Sequence, residues 1–390
     1  MKKYIFILLT SFLPGMATAV TPEEILQIIT EQGSVAVLKA ENKADLSLEN
    51  AKNTLQGVEV EFEHLWGREG ARKWSVAASQ PFEWPGVYGL RKKLVEQKTV
   101  AAVESENALC LELKTRATEL LVKLAYCQKR IDMTEIMLRD MEQTEHHLEE
   151  ALNNGLITII DRKKASIETV MLRVERDKLL NNRNGLVAEL SELAGVNLNT
   201  NETDWRVLPP IMTLKDFDEY AEKIDKDPSL VALRAKGQYD LLSASEARMS
   251  ASMPSFALGY KYENEEGFSF NGLTVGVTLP SWGSQKYRKA LTASVTANTV
   301  AADNLRTVLR NRLENDYAAA QSLRDNLSAL HKTGIGGNYM SLVREAVESG
   351  EMTLLDYLRE QSYYHTTNLS QIDLEEEYAL TLARLNRYFL

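Results

Sequence analysis

Few side chains in this sequence sit at spacings that could do chemistry, and those few were weighed first. His146 and His147 are adjacent in a helical stretch. Neighbouring residues point about 100° apart on a helix, unlike the i, i+4 histidines of helical zinc motifs, so the pair reads as exposed helix surface. His365 follows Tyr363 and Tyr364 and reads as a packed side chain. Met249 and Met253 share one helical face, where core packing is a simpler role than soft-metal binding. Cys110 and Cys127 lie in one predicted helix about 25 Å apart, too far to bridge, and read as small trapped hydrophobes. There is no nucleophile beside a base, no phosphate loop and no paired Cys or Cys/His spacing. The sequence therefore assigns no catalytic, cofactor or metal residue and predicts a protein that is not an enzyme.

Two short segments say more because they occur twice. EALNNGLITIID, Glu150 to Asp161, matches EAVESGEMTLLD, Glu345 to Asp356, at a spacing of 195 residues, half of the 390-residue chain. The same offset pairs Leu38-Lys39-Ala40 with Leu233-Arg234-Ala235 and Asp45 with Asp240. Gln80-Pro81 pairs with Leu279-Pro280 four residues later in register, a drift that altered loop lengths explain. In each copy a glycine, Gly155 or Gly350, can take the positive φ that ends a helix. A threonine, Thr158 or Thr353, can then cap the next helix, with Asp161 or Asp356 in its first turn. The residues 153–158 and 348–353 are accordingly predicted as the tips of two helical hairpins.

The elements that position these tips follow from periodicity. Each half opens with a helical stretch, Pro22 to about Leu55 and about Leu214 to Met253. Two alternating segments come next, at 57–80 and 255–280. A run of about 60 helical residues follows, Tyr88 to Leu152 and Tyr287 to Val347, then the tip and a returning helix of about 35 residues. Only Gly334-Ile335-Gly336-Gly337 breaks the second run, and it reads as a kink. Sixty helical residues span roughly 90 Å, which predicts paired antiparallel helices in an elongated assembly. The segment 196–213, with Pro209-Pro210, is the expected linker between repeats spanning 20–200 and 201–390.

The alternating segments have opposed faces. In Val58-Glu59-Val60-Glu61-Phe62-Glu63, Glu59, Glu61 and Glu63 form one row and apolar side chains the other. Leu273, Val275, Val277 and Leu279 alternate with small polar residues, while the Trp74 to Ser79 segment is weaker. Each is near the roughly 10 residues that cross a bilayer as a tilted strand. Trp66 and Trp74 flank one loop, and Trp84 and Trp282 lie towards the other end, as two aromatic girdles would. Four strands leave open edges that lipid cannot satisfy, so other subunits must complete them. The acidic row would then face the lumen.

The ends and the charge set the compartment. Lys2 and Lys3, the apolar run Tyr4 to Leu13 and Ala17-Thr18-Ala19 read as a cleaved signal peptide over 1–19. Its removal takes the formal charge from −10 to −12, which argues against nucleic acid as a partner. No later segment approaches a 20-residue apolar span.

Taken together, the chain resembles the TolC-type outer-membrane efflux proteins over its mature length. The turns N-G-L-I-T (Asn154, Gly155, Leu156, Ile157, Thr158) and S-G-E-M-T (Ser349, Gly350, Glu351, Met352, Thr353) resemble that family's hairpin tips. Q-P-F-E-W-P-G, Gln80 to Gly86, after a V-E-F-E-H strand resembles the branch serving heavy-metal and cation pumps. The resemblance implies a mainly α chain carrying part of a membrane β-barrel. Each protomer would supply four strands and long antiparallel coiled-coil helices to a homotrimer with a twelve-stranded barrel and a twelve-helix periplasmic tunnel. It implies outer-membrane lipid around the barrel, a periplasmic adaptor at the tips and an inner-membrane transporter of the RND type as the energy source. It places Asp356 at a pore constriction. The family's second acid, one turn on, is Arg359 here, although Glu360 follows, and the tyrosine and arginine latch is replaced by Val347 and Met352. A type I protein-secretion channel would use the same fold. A non-pore adaptor or scaffold would show one hairpin between compact β domains rather than two hairpins.

Overall fold

A computed structural model describes residues 21–31, 33–67, 72–198, 203–210, 213–279, 285–333 and 338–389. The expected signal peptide, Trp282 and Gly334 to Gly337 lie outside the described residues. The elements run α1 (Pro22–Glu31), α2 (Ser34–Ala51), β1 (Glu59–Trp66), β2 (Arg72–Phe82), α3 (Pro85–Asn153), α4 (Ile159–Ala194), α5 (Phe217–Ile224) and α6 (Pro228–Ser252). They continue with β3 (Ser255–Glu265), β4 (Phe268–Thr278), α7 (Gln285–Lys332), α8 (Tyr339–Glu348) and α9 (Leu354–Leu385). Their order repeats once along the chain: paired helices, a hairpin, a long helix and a returning helix.

Both opening helices are broken where the sequence predicts one continuous stretch. Gly33 takes φ 62° between α1 and α2. In the second half Asp227 caps α6 by accepting from Ser229 N at 2.9 Å, and Pro228 fills the first helical position, where no N–H is needed. The breaks fall at matching points of the two repeats, 195 residues apart.

The chain divides into two compact units. One comprises residues 1–32, 113–213 and 319–390. Its apolar core joins Ile25 and Ile29 of α1, Leu120 and Leu124 of α3, and Val187 and Leu190 of α4. The linker contributes to that core. Gly195 ends α4 in the left-handed region, Ser191 Oγ accepts from Leu198 N at 3.1 Å, and Leu198 and Trp205 are buried. Arg206 then reaches Asp132 of α3 at 2.8 Å. Arg130 of α3 holds Asp373 of α9 at 2.6 Å and also pairs with Glu376.

The other unit comprises 33–112 and 214–318 and carries the sheet. Its helices show the duplication in their polar contacts. Asp45 of α2 faces Lys98 of α3, and its repeat partner Asp240 of α6 accepts from Ser294 and Asn298 of α7 at 2.6 and 2.7 Å. Arg91 pairs with Glu83 and with Glu246 at 2.9 Å, tying the start of α3 to α6. Met249 packs against Gly86: a Cβ there would lie 2.7 Å from its sulfur. Cys110 and Cys127 are free thiols, one in each unit, and Cys127 is buried.

The strands form one antiparallel sheet in the order β1-β2-β3-β4. The second strand of the first repeat therefore pairs with the first strand of the second, Ala78 opposite Tyr260 and Val76 opposite Tyr262. Among the described residues β1 and β4 each keep one unpaired edge. Among the described residues, no helix is long and apolar enough to cross a membrane.

Candidate functional sites: the helical tips and the polar sheet face

The first tip is a Schellman stop followed by a capping box. Gly155, at φ 71°, donates to Leu152 O at 3.0 Å, and Leu156 N reaches back to Ala151 O at 2.9 Å. Thr158 accepts from Asp161 N at 3.2 Å, and Asp161 accepts from Thr158 N at 3.2 Å, so two free donors of α4 are satisfied together. These bonds, led by those to the Thr158 side chain and backbone, hold the Asp161 carboxyl below the usual carboxylate range. The second tip repeats the stop and the threonine cap. Gly350 takes φ 78° and donates to Val347 O, Glu351 N reaches Ala346 O, and Thr353 accepts from Asp356 N at 3.2 Å. Ser349 and Glu351 are exposed, as are Asn154 and Leu156, while Ile157 and Met352 are half-buried.

The two tips share one apolar cluster. Ile157 and Leu148, with Ala165 and Leu172 of α4, pack with Leu354, Leu355 and Leu358 of α9. Asp356 stands at the cap and pairs with Arg359 at 3.2 Å. Glu360 accepts from the Tyr339 hydroxyl of α8. Each of these two acids is thus engaged within the chain. His365, further along α9, is buried and 3.8 Å from Glu175 of α4.

A feature the sequence reading passed over lies beside the first tip. On α4, Ile160, Ile167, Val170, Met171 and Val174 are all exposed. Their heptad-like spacing makes a seam of the kind that packs against another helix. Alternation of polar and apolar residues in this long helix is weak enough to hide it, and only the exposure of these residues reveals it.

In the sheet, register assigns the faces. Val60, Phe62, Val76, Ala78, Leu258, Tyr260, Leu273 and Val275 share one face. It is open to the surroundings: Phe62 is 68% exposed, Leu273 79% and Val275 73%. The opposite face carries Glu59, Glu61 and Glu63 with Ser75, Lys73, Lys261, Glu263 and Glu265, and towards the hairpin ends Leu65, Phe268 and Phe270. Lys73 pairs with Glu263 at 2.6 Å, and Lys261 lies 3.7 Å from Glu63 and 3.3 Å from Glu263. Five carboxylates meet two ammonium groups there, so the face keeps a negative excess.

The strands approach closely at one point of the acidic face. A Cβ added to Gly259, on the polar face, would lie 2.6 Å from Ala78 O, 2.7 Å from Thr274 Oγ1 and 2.8 Å from Ser79 Cβ. Cross-strand Cβ atoms ordinarily stand about 4.5–5.5 Å apart, so β3 stands unusually close to its two neighbours at this position. Trp74 stacks obliquely on Tyr262 at 5.4 Å near the hairpin end, and Trp84 lies 6.2 Å from Phe256 at the other.

No protein-family model matches the chain, and no curated protein does. Solved structures match it along nearly its whole length. VceC, an outer-membrane protein from Vibrio cholerae, superposes with a TM-score of 0.75 at 12% identity, over 94% of this chain and 95% of that one. The open-state MtrE outer-membrane channel of Neisseria gonorrhoeae gives 0.72 at 16%, over 94% and 88%. CusC, described as forming a transmembrane channel, gives 0.70 at 14%, over 97% and 94%. The chain has the fold of an outer-membrane channel protomer. The three scores lie within 0.05 of one another, so the fold singles out no branch among them.

Proposed function

We propose that the chain is the outer-membrane channel subunit of a tripartite efflux pump. Three copies join through the free edges of β1 and β4, closing a twelve-stranded barrel. The observation that carries this reading is the two-faced sheet, acidic on one side, apolar and exposed on the other, with both edges open among the described residues. In lipid an unpaired strand edge is untenable, and closure between copies removes it. The exposed seam of α4 supplies a second surface for a neighbouring helix. The Glu59, Glu61 and Glu63 row then lines the lumen and favours cations there.

In this reading the tips at Asn154 to Thr158 and Ser349 to Thr353 meet a periplasmic adaptor, and an inner-membrane transporter of the RND type supplies the energy. The cargo is a metal cation or a small toxic compound. Support for a metal cargo is the Gln80 to Gly86 motif and the acidic sheet face. Asp356 and Glu360 border the inner mouth, where the Arg359 partner of Asp356 lowers the net charge of the ring.

The test is a double change at the tips. Gly155→Pro with Gly350→Pro forbids the left-handed turn at both. Efflux is expected to fail although the assembled channel persists; intact efflux would refute adaptor docking there. A deletion strain challenged with cobalt, zinc, copper, silver and common antibiotics identifies the cargo by which of them becomes more toxic.

A further inference from the structure

One turn before the first tip, α3 carries a group the reading of adjacent histidines overlooked. Among the described residues, His146, His147 and Glu150 form the one set of three metal-ligating side chains whose donor atoms all lie within 4.8 Å of one another. The helix explains it. Glu150 is four residues beyond His146 and three beyond His147, so it neighbours both on the next turn. The divergence of adjacent histidines is closed by this third residue. His146 Nδ1 stands 3.7 Å from a Glu150 carboxylate oxygen, and the two imidazoles meet edge to face with centroids 6.1 Å apart.

The surrounding charges set Glu150 apart. Glu142 is paired with Arg173 at 2.7 Å and Glu149 with Arg162 at 2.6 Å. Among the described residues, Glu150 has no lysine or arginine partner and faces the histidines instead. A bound ion of the zinc type sits about 2.0–2.2 Å from nitrogen and oxygen donors, which places those donors about 3.0–3.6 Å apart. All three side chains are exposed and need only small rotations to reach that spacing.

We propose that His146, His147 and Glu150 bind one divalent transition-metal ion per chain. Two imidazoles and one carboxylate suit zinc, cobalt, nickel and copper, whereas magnesium and calcium prefer all-oxygen sets. Three protein donors leave coordination positions for water or for a donor from a docking partner. The inference stands on these residues alone and is independent of the channel reading.

The test uses the full chain, untagged, in detergent. Zinc is titrated in competition with a chromophoric chelator, and cobalt binding is followed by its visible absorption. The native chain is expected to take up one ion, with no competition from magnesium. His146→Ala with His147→Ala should weaken binding by more than the roughly ten-fold that losing an outer-shell partner costs. Glu150→Gln should weaken it less, and His331→Ala should leave it unchanged. No uptake by the native chain, or equal uptake by the double variant, would overturn the proposal.

Discussion

Replacing Gly259 by alanine tests the close approach of β2, β3 and β4 at one atom. The added Cβ would meet Ala78 O at 2.6 Å and Ser79 Cβ at 2.8 Å on one side, and Thr274 Oγ1 at 2.7 Å on the other. One of these is backbone, so rotating a side chain cannot relieve the clash and strands β2, β3 and β4 must spread. Overpacking of this kind costs about 1–3 kcal/mol. Gly272 is the internal control: it lies on the same face opposite Lys261, and a Cβ there meets nothing within 4 Å. Alanine at that position should gain about 0.5–1 kcal/mol, because glycine weakens a strand interior. The two variants should therefore differ by about 1.5–4 kcal/mol in guanidinium unfolding of the vesicle-inserted protein, followed by tryptophan emission. Gly259→Ala should also lower the temperature at which the assembly dissociates. Equal stability of the two variants would refute the close packing of β3 against β2 and β4 at Gly259.

Three further outcomes follow from local geometry. Thr158→Ala and Thr353→Ala each remove a cap and should cost about 1 kcal/mol, seen as faster amide exchange over 159–162 and 354–357; unchanged exchange would contradict the capping roles. Arg130→Met leaves Asp373 and Glu376 without their cation and should destabilise the α3 and α9 pairing by about 2 kcal/mol, measured by thermal unfolding. Burial pushes the His365 imidazole down, with Glu175 and Glu168 pulling the other way. Its contribution is therefore fully present above about pH 6.5, the unfolded value, and is lost as pH falls towards the lowered folded value. The melting temperature should drop between pH 7.5 and 5.5 in the native chain, and drop less in His365→Leu.

What was legible in the sequence was local. Gly155 with Thr158 and Asp161, and Gly350 with Thr353 and Asp356, set their own turns through bonds spanning three to five residues, so the tips could be read directly. The alternation at Glu59 to Glu63 gave two faces because side-chain direction in a strand needs only the period of two. What escaped depends on partners distant in the chain. Nothing near Trp205 announces that it packs against α1, α3 and α4, and a proline-bearing linker reads as polar. The pairing of β2 with β3 joins residues nearly 200 apart, and the role of Gly259 is visible only once its neighbours on both sides are known. The engagement of Asp356 by Arg359, at i, i+3, is within local reach, whereas the family pattern shows Arg359 only as a replaced acid. His146 and His147 were judged as a pair, and the helical neighbour Glu150 changes what that pair can do.

The proposed channel depends on strand edges that other copies of the same chain would close. Native mass spectrometry of the protein extracted from outer membranes reads this most directly. Closure of the barrel through β1 and β4 predicts one dominant species of three chains that survives mild detergent. A stable monomer as the dominant folded species would contradict it.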